Sequence, residues 1–237
     1  MRLTILCGSL FLLAPLASLD AAAQTPAAAE APTLAELRAA VDTLPPGRVE
    51  RPTSYDALTP DQQRYVQGIL TGPRNGISGP LVAMLPSPGL GELAQRTMAY
   101  ARFAGTEGFS SVPPKLNELA VIMAAQAWSS TYVWNAHAGY SVRVGLTPAV
   151  VEAIRVGRRP EVMEPDVEAV YTFVSELLTA RRVSDAVFEA ARAALGGDRG
   201  IIDLVGTLAI YQMSAMLTVV DRTGLAEGEE PTLRPVD

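Results

Sequence analysis

Histidine and cysteine are almost missing from this chain of 237 residues: there is one of each, His137 and Cys7. Lysine is as rare, with Lys115 alone among basic residues that are otherwise arginine. Cys7 falls in a segment that reads as a removable leader, so the remaining chain has no thiol. That excludes a disulfide framework, a CxxC redox centre and a thiolate-bound metal. One histidine, without a thiol or a cluster of carboxylates, does not make up the usual zinc ligand sets, and neither a metal nor another cofactor is expected. Glycine-rich phosphate loops of the Rossmann or Walker type are missing, as is the G-x-S-x-G setting of a nucleophilic serine. Positive charge is scarce too: the net charge is −6, which argues against nucleic acid as a partner and against docking on an anionic membrane. Charged residues make up 19% and apolar ones 49% of the chain, which excludes a disordered tail.

What is present fits one domain, or at most two small ones, with enough apolar side chains to form a core unaided. Met1 and Arg2 give a short positive start, residues 3–16 are mostly apolar, and Ala21, Ala22 and Ala23 supply small residues before Gln24. This pattern predicts a secretory signal peptide over residues 1–23 and a mature chain that is periplasmic or secreted. The alternative, a membrane anchor, needs a longer apolar run. Cys7 follows Ile5 and Leu6 rather than small residues, which excludes lipidation there. Residues 24–54 read as an Ala/Pro-rich linker with a short helix, residues 55–225 as the main domain, and residues 226–237 as a tail.

Helix signals recur along the domain. Thr33 with Glu36, and Thr59 with Pro60 and Gln62, are capping boxes that open helices ending near Thr43 and Thr71. Residues 72–80 (GPRNGISGP) read as a loop. Further helices are expected over 87–103, 119–128, 131–144, 148–157, 164–181, 184–195 and 200–221, with Gly145 ending the helix from Thr131. No alternating strand or hairpin pattern occurs, so the expected class is all-α with seven to nine helices. Residues 119–128 (LAVIMAAQAW) are apolar on every side, as in a fully buried helix. Residues 201–220 are long enough to span a bilayer but carry Asp203 and Gln212, which favours a buried helix of a bundle or an oligomer.

Glu118 stands at the head of the buried segment, and His137 lies on the next expected helix with Ser130, Val133, Tyr140 and Ser141 on one face. If the second helix folds back at Ser129-Ser130, Glu118 and His137 approach each other. A carboxylate fixes the tautomer of an imidazole and makes it a proton shuttle. Tyr132 and Trp134 flank that face, one as a hydrogen-bond donor and the other as a pocket wall. The competing reading is a satisfied structural histidine and a first-turn glutamate favoured by the helix dipole.

These residues carry a resemblance. Pro113-Pro114-Lys115-Leu116-Asn117-Glu118-Leu119-Ala120-Val121-Ile122, then Tyr132-Val133-Trp134-Asn135-Ala136-His137, then Gly145-Leu146-Thr147, resemble the carboxymuconolactone decarboxylase and alkylhydroperoxidase D superfamily. Leu70-Thr71-Gly72-Pro73-Arg74, Gly79-Pro80, Leu85 and Pro88 fit its opening region, and residues 188–211 its closing helices. The resemblance implies an all-α fold, assembly as a homotrimer or homohexamer, and sites near subunit contacts. The peroxidase branch has two cysteines between the glutamate and the histidine; Ser130 and Val133 hold those positions here, so thiol peroxidase activity is disfavoured. The decarboxylase branch has an arginine before the glutamate and an acid in the Tyr-x-Trp motif; Asn117 and Val133 replace them, which argues against γ-carboxymuconolactone itself as substrate.

The function expected is an exported, cofactor-independent enzyme that moves a proton on a small lactone or keto acid, in a decarboxylation or an isomerisation. His137 is the acid–base group, Glu118 orients it, and Tyr132 steadies the developing enolate. Arg74 and Arg102 are the candidates for holding a carboxylate, with Trp134 lining the site. Two alternatives remain: a binding protein for small ligands on the same fold, and an assembly protein without a pocket.

Overall fold

A computed structural model of the protein describes residues 31–74, 76–225 and 228–233. The expected leader with its cleavage site and Cys7, the Ala/Pro stretch to residue 30 and residues 234–237 of the tail lie outside the described residues. Among the described residues there are ten α-helices, one short 3-10 helix (Tyr55–Ala57) and no strand, so the fold is all-α. The helices are α1 (Leu34–Asp42), α2 (Pro60–Thr71), α3 (Pro80–Ala83), α4 (Pro88–Arg102), α5 (Pro114–Ala127), α6 (Thr131–Arg143), α7 (Pro148–Arg155), α8 (Pro165–Thr179), α9 (Asp185–Ala194) and α10 (Asp198–Asp221).

Local chemistry accounts for most boundaries. Both capping boxes form: Thr33 accepts from the Glu36 N–H and Thr59 from the Gln62 N–H, with each partner side chain reaching back to the cap. Thr147 caps α7 ahead of Pro148, and Gly145, at φ 112°, ends α6 in a conformation that costs a glycine little. Two boundaries differ from expectation. Helix α3 adds a single turn at the end of the Gly/Pro segment, started by Pro80 at its first position. Helix α5 opens at Pro114, a turn before the apolar run, because the Pro113-Pro114 pair sets the helical φ there.

Helix α5 is the centre of the body. Every side chain from Leu116 through Ala125 is buried, and the helix packs against α6, α7, α8 and α10. Helix α10 is long and apolar enough to cross a membrane by length and composition, yet it packs against α3, α4, α5, α6 and α9. Its polar residues serve that packing. Asp203 accepts from the Tyr100 hydroxyl at 2.9 Å and from the N–H and Oγ of Ser111 at 2.7 Å, and Gln212 accepts from Trp128 Nε1 at 3.3 Å.

The segments on either side of the domain join the body. Leu37 and Val41 of α1 are part of the core. Asp221, fully buried at the end of α10, accepts from the Val49 N–H at 3.0 Å and from Arg51 at 2.5 Å. In the tail, Leu233 is buried, and the Asn135 side chain donates to the Glu230 carbonyl at 2.8 Å and accepts from the Thr232 hydroxyl at 2.8 Å.

Candidate active site

The chain reverses between α5 and α6 through Trp128 and Ser129, the latter at φ 50°. Ser130 then caps α6: its Oγ accepts from the Val133 N–H at 3.3 Å and shares a hydrogen bond with Thr218 Oγ1 at 2.9 Å. The two helices lie side by side, and His137 meets Glu118 across them. Nδ1 of His137 stands 2.7 Å from Oε2 of Glu118, with the two residues 5% and 2% exposed. Glu118 lies in the second turn of α5, beyond the exposed first turn where a helix dipole alone explains a glutamate. With Glu118 ionised, Nδ1 carries the ring proton and donates it to the carboxylate. Nε2, left with its lone pair, has no hydrogen-bond partner among the described residues.

His137 forms part of the wall of a cavity of about 440 Å³. Arg74, Arg102, Tyr132, Val133, Tyr211 and Ser214 line it as well. Three of the side chains expected around the histidine, Tyr132, Arg74 and Arg102, are thus brought to one space. Trp134 is not: it does not line this cavity, and it is buried on the side of α6 that faces the tail, beside Asn135 and Thr232. The reason is helical angle. Around α6 from His137, Val133, Ala136 and Tyr132 fall on one side, at about 40°, 100° and 140°, while Trp134 falls about 60° on the other. Tyr140, expected on the histidine face, is 40% exposed and packs beneath the Arg143 guanidinium.

Tyr211 of α10 is the residue that sequence reasoning missed. It is buried, and its ring meets the His137 ring edge to face, with centroids 5.0 Å apart and planes at 84°. Burial raises its phenol well above the ordinary tyrosine range, and the negative charge of Glu118 adds to this. Arg102 and Arg74, which line the same cavity, oppose the rise.

The two arginines face one another without an acid. Neither has a carboxylate partner among the described residues, and the buried Nε of Arg74 has no hydrogen-bond partner. Burial, and then the like charge of Arg102, lower the Arg74 guanidinium from its ordinary value, while Tyr211 and Tyr65 act the other way. Such an arrangement is electrostatically completed by an anion between the two side chains.

Asn117, Ser130 and Val133, where the chain departs from the motif it resembles, have structural occupations. Asn117 is buried and accepts from the Thr207 hydroxyl at 3.0 Å. Ser130 is the cap just described, and Val133 contributes an apolar wall to the cavity. Among the described residues, no three His, Cys, Asp or Glu side chains converge as a metal site would require. A larger groove of about 980 Å³ runs between α2 and α4, but its arginines are already paired, Arg64 with Asp61 and Arg96 with Glu92. Reactive and uncompensated groups are thus concentrated in the smaller cavity. No protein-family model and no curated protein matches the chain.

Proposed function

We propose that the protein is a cofactor-independent enzyme of the carboxymuconolactone decarboxylase type, which moves a proton on a small carboxylated ketone or lactone. One observation carries the reading. The Glu118–His137 pair is buried, and its histidine lines a cavity that also holds two arginines without an acid partner. A structural histidine has no need of that setting.

The chemistry follows from the geometry. Arg74 and Arg102 hold the carboxylate, and His137 Nε2 takes a proton from the carbon next to the carbonyl. The C–H pair moves toward the carbonyl oxygen, and the imidazolium is steadied by Glu118. Return of that proton to a different carbon completes an isomerisation. In a β-keto acid the C–CO₂ bond breaks instead, CO₂ leaves as the bonding pair moves to the same oxygen, and His137, protonated at Nε2 from solvent beforehand, delivers that proton to the carbon.

The test is solvent-deuterium exchange. In D₂O, wild-type protein is expected to exchange the C–H next to the carbonyl in at least one member of a panel of 2- and 3-oxo carboxylates and carboxylated lactones. Proton NMR follows the lost signal. Panel members that bind in the cavity yet neither exchange nor turn over contradict the enzyme reading and favour a ligand-binding protein.

The same reading includes assembly as a trimer or hexamer. Supporting it, Ile202, Val205, Met216 and Val219 of α10 are 69%, 37%, 38% and 45% exposed, in a row whose spacing keeps them on one face. Sedimentation at micromolar concentration is expected to show an oligomer that Ile202→Asp weakens. A wild-type monomer under those conditions rules the assembly out.

A further inference from the structure

The scheme above gives no task to either phenol of the cavity, Tyr132 or Tyr211. Their surroundings differ. Tyr132 is half-buried, its hydroxyl has no hydrogen bond to the described residues, and its ring lies against Gly79 so closely that a Cβ there would collide with it. Gly79, at φ 56°, starts α3 in a conformation that L residues rarely adopt, so the close approach and the backbone both call for glycine. Tyr211 is 6% exposed and fixed by its edge-to-face contact with His137. It lines the same cavity as Arg74 and Arg102.

Tyr211 is therefore held beside the group that moves the proton and beside the groups that hold the anion. Its phenol keeps its proton under ordinary conditions, because burial and the Glu118 charge both disfavour the phenolate. An O–H so placed is a donor already aimed and largely removed from water, where a hydrogen bond to growing negative charge is worth most.

We propose that Tyr211, rather than Tyr132, is the catalytic hydrogen-bond donor to the substrate oxygen that becomes negative. The proposal rests on the proton-transfer reading and gives the enolate oxygen a named partner. No bond to Tyr211 forms or breaks: its proton is shared with the enolate oxygen and stays on the phenol as the C–H pair moves. Tyr132 then borders the ligand space as a wall seated on Gly79.

A coloured probe tests this without knowledge of the substrate. 4-Hydroxy-3-nitrobenzoate carries a carboxylate for the arginines and a nitrophenol whose ionised form imitates an enolate oxygen. Its absorbance reports whether it is bound as phenol or phenolate. Wild-type protein is expected to bind it and to lower its ionisation midpoint relative to free probe. Tyr211→Phe should move the midpoint back by about one to two pH units, the equivalent of one charge-assisted hydrogen bond. Tyr132→Phe should leave it in place, and far-ultraviolet circular dichroism and melting temperatures matching wild type in both variants verify the fold.

Affinity and midpoint separate the two ideas. Bound probe whose midpoint is unmoved in wild type, or is lost with Tyr132→Phe but not with Tyr211→Phe, overturns the role of Tyr211 alone. Failure of wild-type protein to bind the probe or any simple carboxylate overturns the anion-cavity reading, and the Tyr211 proposal falls with it.

Discussion

His137→Gln is expected to slow solvent-deuterium exchange, and any turnover that accompanies it, by about 10²–10⁴-fold, the usual contribution of a positioned general acid–base group. Substrate binding should change little, because the arginines that hold the carboxylate are untouched. The size of the effect follows from scarcity. There is no second histidine in the chain, and its one thiol is Cys7, near the N-terminus. Glu118→Gln isolates the other half of the pair: it preserves size and hydrogen-bonding capacity at 2.7 Å from Nδ1 but removes the charge that opposes the imidazolium. Its rate loss should be smaller than that of His137→Gln and confined to the chemical step. Glu118→Ala is less informative, since it leaves a buried ring nitrogen unpaired at a cost of about 1–3 kcal/mol in stability. Full exchange activity in His137→Gln, with the fold intact, contradicts the acid–base assignment outright.

The second large effect concerns Arg74 and Arg102. Replacing either by glutamine should weaken the binding of a simple monocarboxylate such as benzoate by about 10–100-fold, the range for a charged hydrogen bond. Stability of the ligand-free protein should move the other way or not at all. Arg102 disfavours the charge on Arg74, and the Arg74 Nε contributes no hydrogen bond that its removal would break. Calorimetric titration with benzoate, set beside thermal melts of the same proteins, reads both quantities. An arginine that merely braces the fold predicts the reverse pattern, with a lower melting temperature and unchanged affinity. The contrast with Arg51 is instructive. Its partner Asp221 is fully buried, burial alone would raise that carboxyl, and the Arg51 hydrogen bond with those of Thr223 and Val49 holds it low. That is how an arginine of the scaffold is placed, and Arg74 and Arg102 are placed differently.

Much of this arrangement was legible in the chain because it depends on local chemistry. Thr33, Thr59 and Thr147 act on donors three residues away, and the apolar run from Leu119 is buried as its composition requires. The Glu118–His137 meeting also follows from short-range facts: a reversal at Ser129-Ser130 and two helices of similar length. What the sequence concealed depends on rotation and on distance along the chain. Trp134 and Tyr132 flank His137 alike in a linear reading, but only the packing of α6 decides which side meets the cavity and which meets the tail. Tyr211 comes from a helix far along the chain, and no spacing rule joins it to the motif. The one sign was a phenol within an otherwise strongly apolar segment, where a buried hydroxyl calls for a partner. Residues 24–54 read as an Ala/Pro-rich linker with a short helix, since nothing local in residues 45–53 points to a partner. Their attachment to Asp221 spans most of the chain and has no local signature.

The most direct test of the central claim is the tautomer of the one histidine. A sample labelled with ¹⁵N in its imidazole gives a single pair of ring resonances, assignable without mutagenesis because His137 has no rival. At a pH where the ring is neutral, the account predicts the proton on Nδ1, shared with Glu118, and a bare Nε2 facing the cavity. Benzoate should shift Nε2, and Glu118→Gln should release the Nδ1 preference. A ring protonated mainly on Nε2, indifferent to both benzoate and Glu118→Gln, would mean that no base faces the cavity, and the proton-transfer account would be wrong.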